Sequence, residues 1–187
     1  MSLKPQVIGL RVHGKFLGTR TLGRSTAVEL RDRIGDADSP VVIDFAKVEV
    51  ASSPFLDELA CALRSSIADS PGRFVVLANL NEDVRDTLVL VLRHRNMTLT
   101  VLHDDALHLI GGREHLDETL VQAQALGTFT AGDLAERLKL KLPNLHQRLA
   151  QLQAAGAVAR VETSGAQRPV RFATPQHDEL VAAVAVA

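Results

Sequence analysis

The sequence predicts an α/β protein in two parts: a sheet-and-helix domain over residues 1–112, then a smaller domain over 113–187 in which short helices lead into a hairpin. Three observations carry this reading. Short branched-apolar runs alternate with helix-length segments through the first part. Beyond it, helical periodicity gives way to two strand-like runs flanking a Ser164–Gly165 turn signal. The charge divides along the chain as well. Residues 1–125 hold 14 Lys/Arg and 17 Asp/Glu, residues 126–174 hold 7 and 3, and the last 13 hold none and 2. A net charge of −1 therefore hides a segment of +4, the sign that suits contact with phosphate.

Residues 6–12 (QVIGLRV) read as the first strand. A helix is expected over 25–34, with Ser25 or Thr26 as its cap, and residues 36–40 (DADSP) as a loop. Buried strands follow at 41–45 (VVIDF), 73–78 (RFVVLA) and 99–102 (LTVL). Helices are expected between them, over 54–68 and 81–95. Ser53 before Pro54 is a strong helix start, since the serine oxygen accepts a hydrogen bond from a free amide and proline suits the first turn. Asn81 is the second cap, with Glu82 and Asp83 placed favourably against the helix dipole. Arg20 and Arg24 either hold an anion near a helix start or are solvated surface arginines. Asp57 and Glu58 are adjacent, so a helix points them apart, and they do not form a paired acid–base site.

The strand end Asp44–Phe45, the helix start Ser53, Phe55, Asp57, Glu58, Leu59, the earlier Thr19–Arg20 and Gly23–Arg24, and the later Asn81 and Arg95 resemble the prokaryotic STAS-like group over about residues 5–110. STAS domains form the fold of bacterial anti-sigma-factor antagonists. The resemblance implies a protein partner such as a kinase-like ATPase. It also matches Ser53 to the antagonist serine whose phosphorylation breaks a complex. The run Ala51–Ser52–Ser53–Pro54–Phe55 departs from the antagonist pattern of Asp-Ser-Ser-Gly-Leu, which leaves helix capping as the other account of Ser53.

In the second part, a helix over 115–126 ends at Gly127. Thr130 with Asp133 three residues on approximates a capping box, and Leu134, Ala135 and Leu138 form a buried stripe. A turn at 139–142 leads to a second helix over 143–155, with Leu145, Leu149 and Leu152 on one face and Gly156 as its stop. Strands are expected at 157–161 and 169–173. Two helices joined by a tight turn and followed by a hairpin make a winged helix-turn-helix. The pieces F-T-x-x-x-L-A, R-L-x-x-L-x-x-x-G-x-V and P-V-R-F-x-x-P resemble bacterial repressors of the multiple-antibiotic-resistance and arsenic-repressor types. The polar side of the second helix offers Asn144, His146, Gln147 and Arg148 as base readers, because Asn and Gln pair with adenine and Arg with guanine. Lys139 and Lys141 in the turn, and Arg160, Gln167, Arg168 and Arg171 in the hairpin, are the candidates for phosphate or minor-groove contact.

The chain has no Trp, no Tyr and six Phe, so it offers little aromatic surface for stacking single-stranded bases. Cys61, the one cysteine, sits in an apolar run (LDELACAL) and reads as a small core residue. It excludes an intramolecular disulfide and a cysteine zinc site. The seven histidines lack metal-ligand spacing, and no phosphate-binding, nucleophile-elbow or dinucleotide motif is present. No catalytic residue, metal or cofactor is expected. Lacking a signal-like or membrane-length apolar run, the chain is expected in the cytoplasm of a prokaryotic cell. The leading expectation is a homodimeric transcriptional regulator that binds double-stranded DNA. The alternative is a partner-switching protein that acts through protein contacts alone.

Overall fold

The computed structural model describes residues 4–35, 39–70, 72–112, 114–161 and 169–186. Strand β1 (Gln6–Gly9) gives way to a turn of 3-10 helix (Leu10–His13), so the expected strand over 6–12 ends early at Gly9. Then come β2 (Phe16–Leu17), α1 (Arg20–Gly35), β3 (Val41–Asp44), β4 (Val50–Ala51) and α2 (Ser53–Asp69). They are followed by β5 (Val75–Ala78), α3 (Glu82–His94), β6 (Leu99–His103) and β7 (Ala106–Ile110). The second part runs α4 (Glu114–Leu126), β8 (Thr128–Thr130), α5 (Ala131–Leu138), α6 (Leu142–Ala154), β9 (Ala159–Val161), β10 (Arg171–Ala173) and α7 (His177–Val186).

The main sheet has the order β1-β3-β5-β6-β7, parallel except for the last pair. Sequence reading did not expect β7. It returns from β6 through Asp104 and Asp105, both at positive φ, a conformation that aspartate tolerates in a tight hairpin.

Alternation along the strands explains the uniformly apolar runs. Val41, Ile43, Val75, Leu77, Leu99 and Val101 face a core shared with α1, α2 and α3. Their neighbours Val42, Val76 and Ala78 face the opposite way, into a core built with Leu116, Leu120, Leu134, Leu145, Leu149 and Phe172 of the second part. All four residues of β3 and of β5 are buried, as strands covered on both faces require. The two halves of the chain are thus packed across one sheet. Burying side chains such as Val42 and Val76 contributes about 1.5–3 kcal/mol each.

Several helix starts differ from expectation in their details. α1 begins five residues earlier than read, at Arg20, where the Thr19 hydroxyl accepts from Leu22 N at 3.1 Å. Ser25 and Thr26 are interior helix residues. α1 and α2 approach closely at Gly23, where a Cβ would lie 3.1 Å from both Cα and O of Phe55. The cap of α2 is Ser52, one residue before the expected Ser53: its Oγ accepts from Phe55 N (3.3 Å) and donates to Gly18 O (2.8 Å). Asn81 caps α3 as read, accepting from Val84 N at 2.9 Å. Helix α7 lies against β1 and β3 of the main sheet, with Leu180 buried.

Candidate nucleic-acid interface

α5 begins at a complete capping box. The Thr130 hydroxyl accepts from Asp133 N (3.3 Å), and the Asp133 carboxylate accepts from Thr130 N (2.7 Å). The bond from Thr130 N, with a smaller contribution from nearby Arg171, holds the Asp133 carboxyl below its ordinary value. The helix closes on Lys139, which takes the left-handed conformation at φ 53° while its N–H bonds back to Ala135 and Glu136 carbonyls. α6 starts directly after Lys141, with Pro143 in its first turn. Lys139 and Lys141 are therefore held in the tight turn between the helices, both exposed.

Along α6, Leu145, Leu149 and Leu152 face the core. Asn144, His146 and Gln147 are exposed. Gln147 also borders a crevice of about 380 Å3 that α6 shares with Arg64, Asn96 and Thr98. Arg148 does not join this exposed set. Its guanidinium donates to His115 O (3.2 Å) and Thr119 Oγ1 (3.0 Å) of α4, because its position on the helix points sideways to that neighbour. It ties α6 to α4 instead of presenting a cation to solvent.

The hairpin arginines are both exposed but face opposite ways. Arg160 is paired with Phe172, and Arg171 with Val161 and with Thr130. Side chains of directly paired residues share a face, so Arg160 lies on the α6 side and Arg171 on the side of Thr130 and Asp133. Gln167 and Arg168 lie outside the described residues. Between α6 and the hairpin runs a groove of about 680 Å3 lined by Leu142, His146, Ala150, Arg160 and Val170 among others. Leu142 and Val170 are about half exposed there.

Two contacts anchor the far end of α6, and sequence reading found neither. The Thr100 hydroxyl donates to Ala155 O at 2.7 Å. Val75 N donates to Gly156 O at 3.3 Å. Gly156 has φ +75°, and a Cβ there would fall 2.7 Å from Val75 O. The signal for the first contact was available as the one polar residue in the apolar run LTVL.

In the first part, Ser53 is exposed in the first turn of α2 and makes no side-chain hydrogen bond among the described residues. Arg20 and Arg24 are engaged by the chain's own carboxylates. Arg20 lies 3.2 Å from Glu58 and 3.8 Å from Asp57, and Arg24 lies 3.3 Å from Glu58. Arg95 grips Asp57 through two bonds of 2.7 Å, and this contact foremost lowers the Asp57 pKa. Asp57 and Glu58 thus serve one ionic cluster that joins α1, α2 and the end of α3. Among the described residues, no group of three or more His, Cys, Asp or Glu is placed to hold a metal ion, and no helix is long and apolar enough to cross a membrane. No protein-family model, curated protein or solved structure matches the chain.

Proposed function

We propose that the chain is a DNA-binding transcriptional regulator. In this reading, α4, α5, α6 and the β8–β10 sheet act as a winged helix-turn-helix, and the preceding STAS-like part receives a protein or small-molecule signal. The observation that carries the proposal is the exposed polar start of α6. Asn144, His146 and Gln147 stand there, with Lys139 and Lys141 on one flank and Arg160 of the hairpin on the other. Amide side chains projecting from a helix start read base edges, while cations on the flanks bind phosphates and fix the register. Arg148 acts as an internal tie in this account. Regulators of this type bind paired half-sites as homodimers. The Ser53 hydroxyl is accessible to a kinase-like partner, and a phosphate at that position adds about two negative charges to the start of α2.

One observation favours the second reading, a partner switch that works through protein contacts alone. The groove between α6 and the hairpin is largely apolar, with Leu142 and Val170 half exposed, and such a groove suits a protein segment better than a phosphate backbone. Selection from a pool of random duplexes with the full chain separates the two. Enrichment of a motif, repeated as inverted half-sites about one helical turn apart for a dimer, supports the regulator. Failure to enrich any motif over successive rounds supports the partner switch.

A further inference from the structure

The carboxyl ends of β3, β5 and β6 open onto a cleft of about 550 Å3, away from the second part's helices. Three cationic or basic side chains line the cleft: Lys47 after β3, Arg85 on α3 and His103 at the end of β6. Lys47 and Arg85 enter no ion pair and no side-chain hydrogen bond among the described residues. This contrasts with Arg20, Arg24 and Arg95, whose charge is taken up by Asp57 and Glu58. Arg85 is also half buried, on the wall of the cleft.

The neutral polar groups of the cleft are already engaged. Asn79 Nδ2 donates to Asp44 Oδ1 at 2.7 Å. Asn81 uses Nδ2 on the carbonyls of Val48 and Glu49, each at 3.0 Å, and Oδ1 on Val84 N. One carboxylate, Asp104, borders the same space, 3.5 Å from His103 Nε2. What remains uncommitted is positive charge. The rest of the wall is aliphatic, with Leu80, Val101 and Leu102 and no Phe. The volume exceeds what a lone phosphate fills and falls within the range of small-ligand sites.

We infer that this cleft binds the phosphate group of a small phosphorylated molecule. Arg85 supplies the paired donors of its planar guanidinium, Lys47 a point charge and His103 a rim donor. The site lies on the same two strands whose opposite ends carry the Val75 and Thr100 contacts to α6. The inference does not depend on the DNA-binding reading, because it concerns a different end of the sheet.

The test is an amide NMR titration of the full chain at constant ionic strength. The probes are glucose 6-phosphate, inorganic phosphate, unphosphorylated glucose and a phosphoserine peptide. The expected result is saturable shifts in residues 46–48, 79–81 and 102–104, strongest with glucose 6-phosphate and absent with glucose. Arg85→Gln and Lys47→Gln should each weaken binding roughly tenfold. Lys47 is exposed, so Lys47→Gln keeps the test valid even if Arg85→Gln fails to fold. No saturable shift in these segments overturns the inference. So does binding that Lys47→Gln leaves unchanged, or shifts confined to residues 139–147. Tighter binding of the phosphoserine peptide overturns the small-molecule assignment.

Discussion

Thr100 of β6 donates its hydroxyl to the carbonyl of Ala155, 2.7 Å away, and both residues are buried. An interior strand of the main sheet thereby holds the end of the helix whose start is proposed to read DNA. Thr100→Val keeps the shape and removes the donor. It should destabilise the protein by about 1–3 kcal/mol, the cost of leaving a buried carbonyl unpaired. Thr100→Ser should recover most of the loss. Urea unfolding of the three proteins checks both.

Gly156 provides a second handle on the same junction. Replacing it with Ala places a methyl group 2.7 Å from Val75 O on a backbone at φ +75°. Gly127 has a similar φ of +66° with open space around it. Gly127→Ala should cost only the left-handed backbone penalty of about 1–2 kcal/mol. Gly156→Ala should cost about 1–3 kcal/mol more, because the close approach adds overpacking. Equal losses in the two variants would contradict the tight contact between Gly156 and β5.

Arg148→Met separates stability from recognition. Arg148 donates to His115 O and Thr119 Oγ1, so its loss should lower stability by about 1.5–3 kcal/mol, as for hydrogen bonds to a charged group. Affinity for a selected duplex should fall far less than in Asn144→Ala. Thermal melting and duplex titration on the same samples test the distinction.

The Asp57–Arg95 contact makes a prediction about pH. Asp57 has a lowered folded pKa, chiefly through its hydrogen bonds with Arg95. Its contribution is therefore present above the unfolded value of about 3.9 and is lost as pH falls through the lower folded value. Asp57→Asn should melt below wild type at pH 7 and at pH 5. The gap should close as pH drops below about 3.9. A gap that stays constant down to acid would mean the carboxylate charge plays no part.

Much of this architecture was legible in the residues, and the gaps have physical causes. Strong local chemistry read correctly: Asn81 and Thr130 cap their helices, and Gly127 and Gly156 end theirs, because these signals act within a few residues. The serine pair was misassigned by one position, since Ser52 and Ser53 both precede Pro54 and only the three-dimensional contacts of Ser52 with Phe55 N and Gly18 O distinguish them. β7 went unread because its run, ALHLI, lacks a branched-apolar pattern and is a strand through its pairing with β6. At the candidate site, periodicity separated Leu145, Leu149 and Leu152 from the polar positions. It could not show that Arg148 would find acceptors on α4, 29 and 33 residues away in sequence. The shared core was equally hidden, because apolar runs such as VVID show that a strand is covered on both faces without showing what covers it.

The most direct test of the central claim is fluorescence anisotropy with a duplex carrying the selected motif and a scrambled control, each at two salt concentrations. The account predicts tight binding to the first duplex that weakens steeply with salt. Asn144→Ala/Gln147→Ala should erase the preference over the control, while Lys139→Ala/Lys141→Ala should weaken binding to both duplexes and flatten the salt dependence. Equal, weak binding to both duplexes that neither double variant alters would contradict the claim that α6 reads DNA.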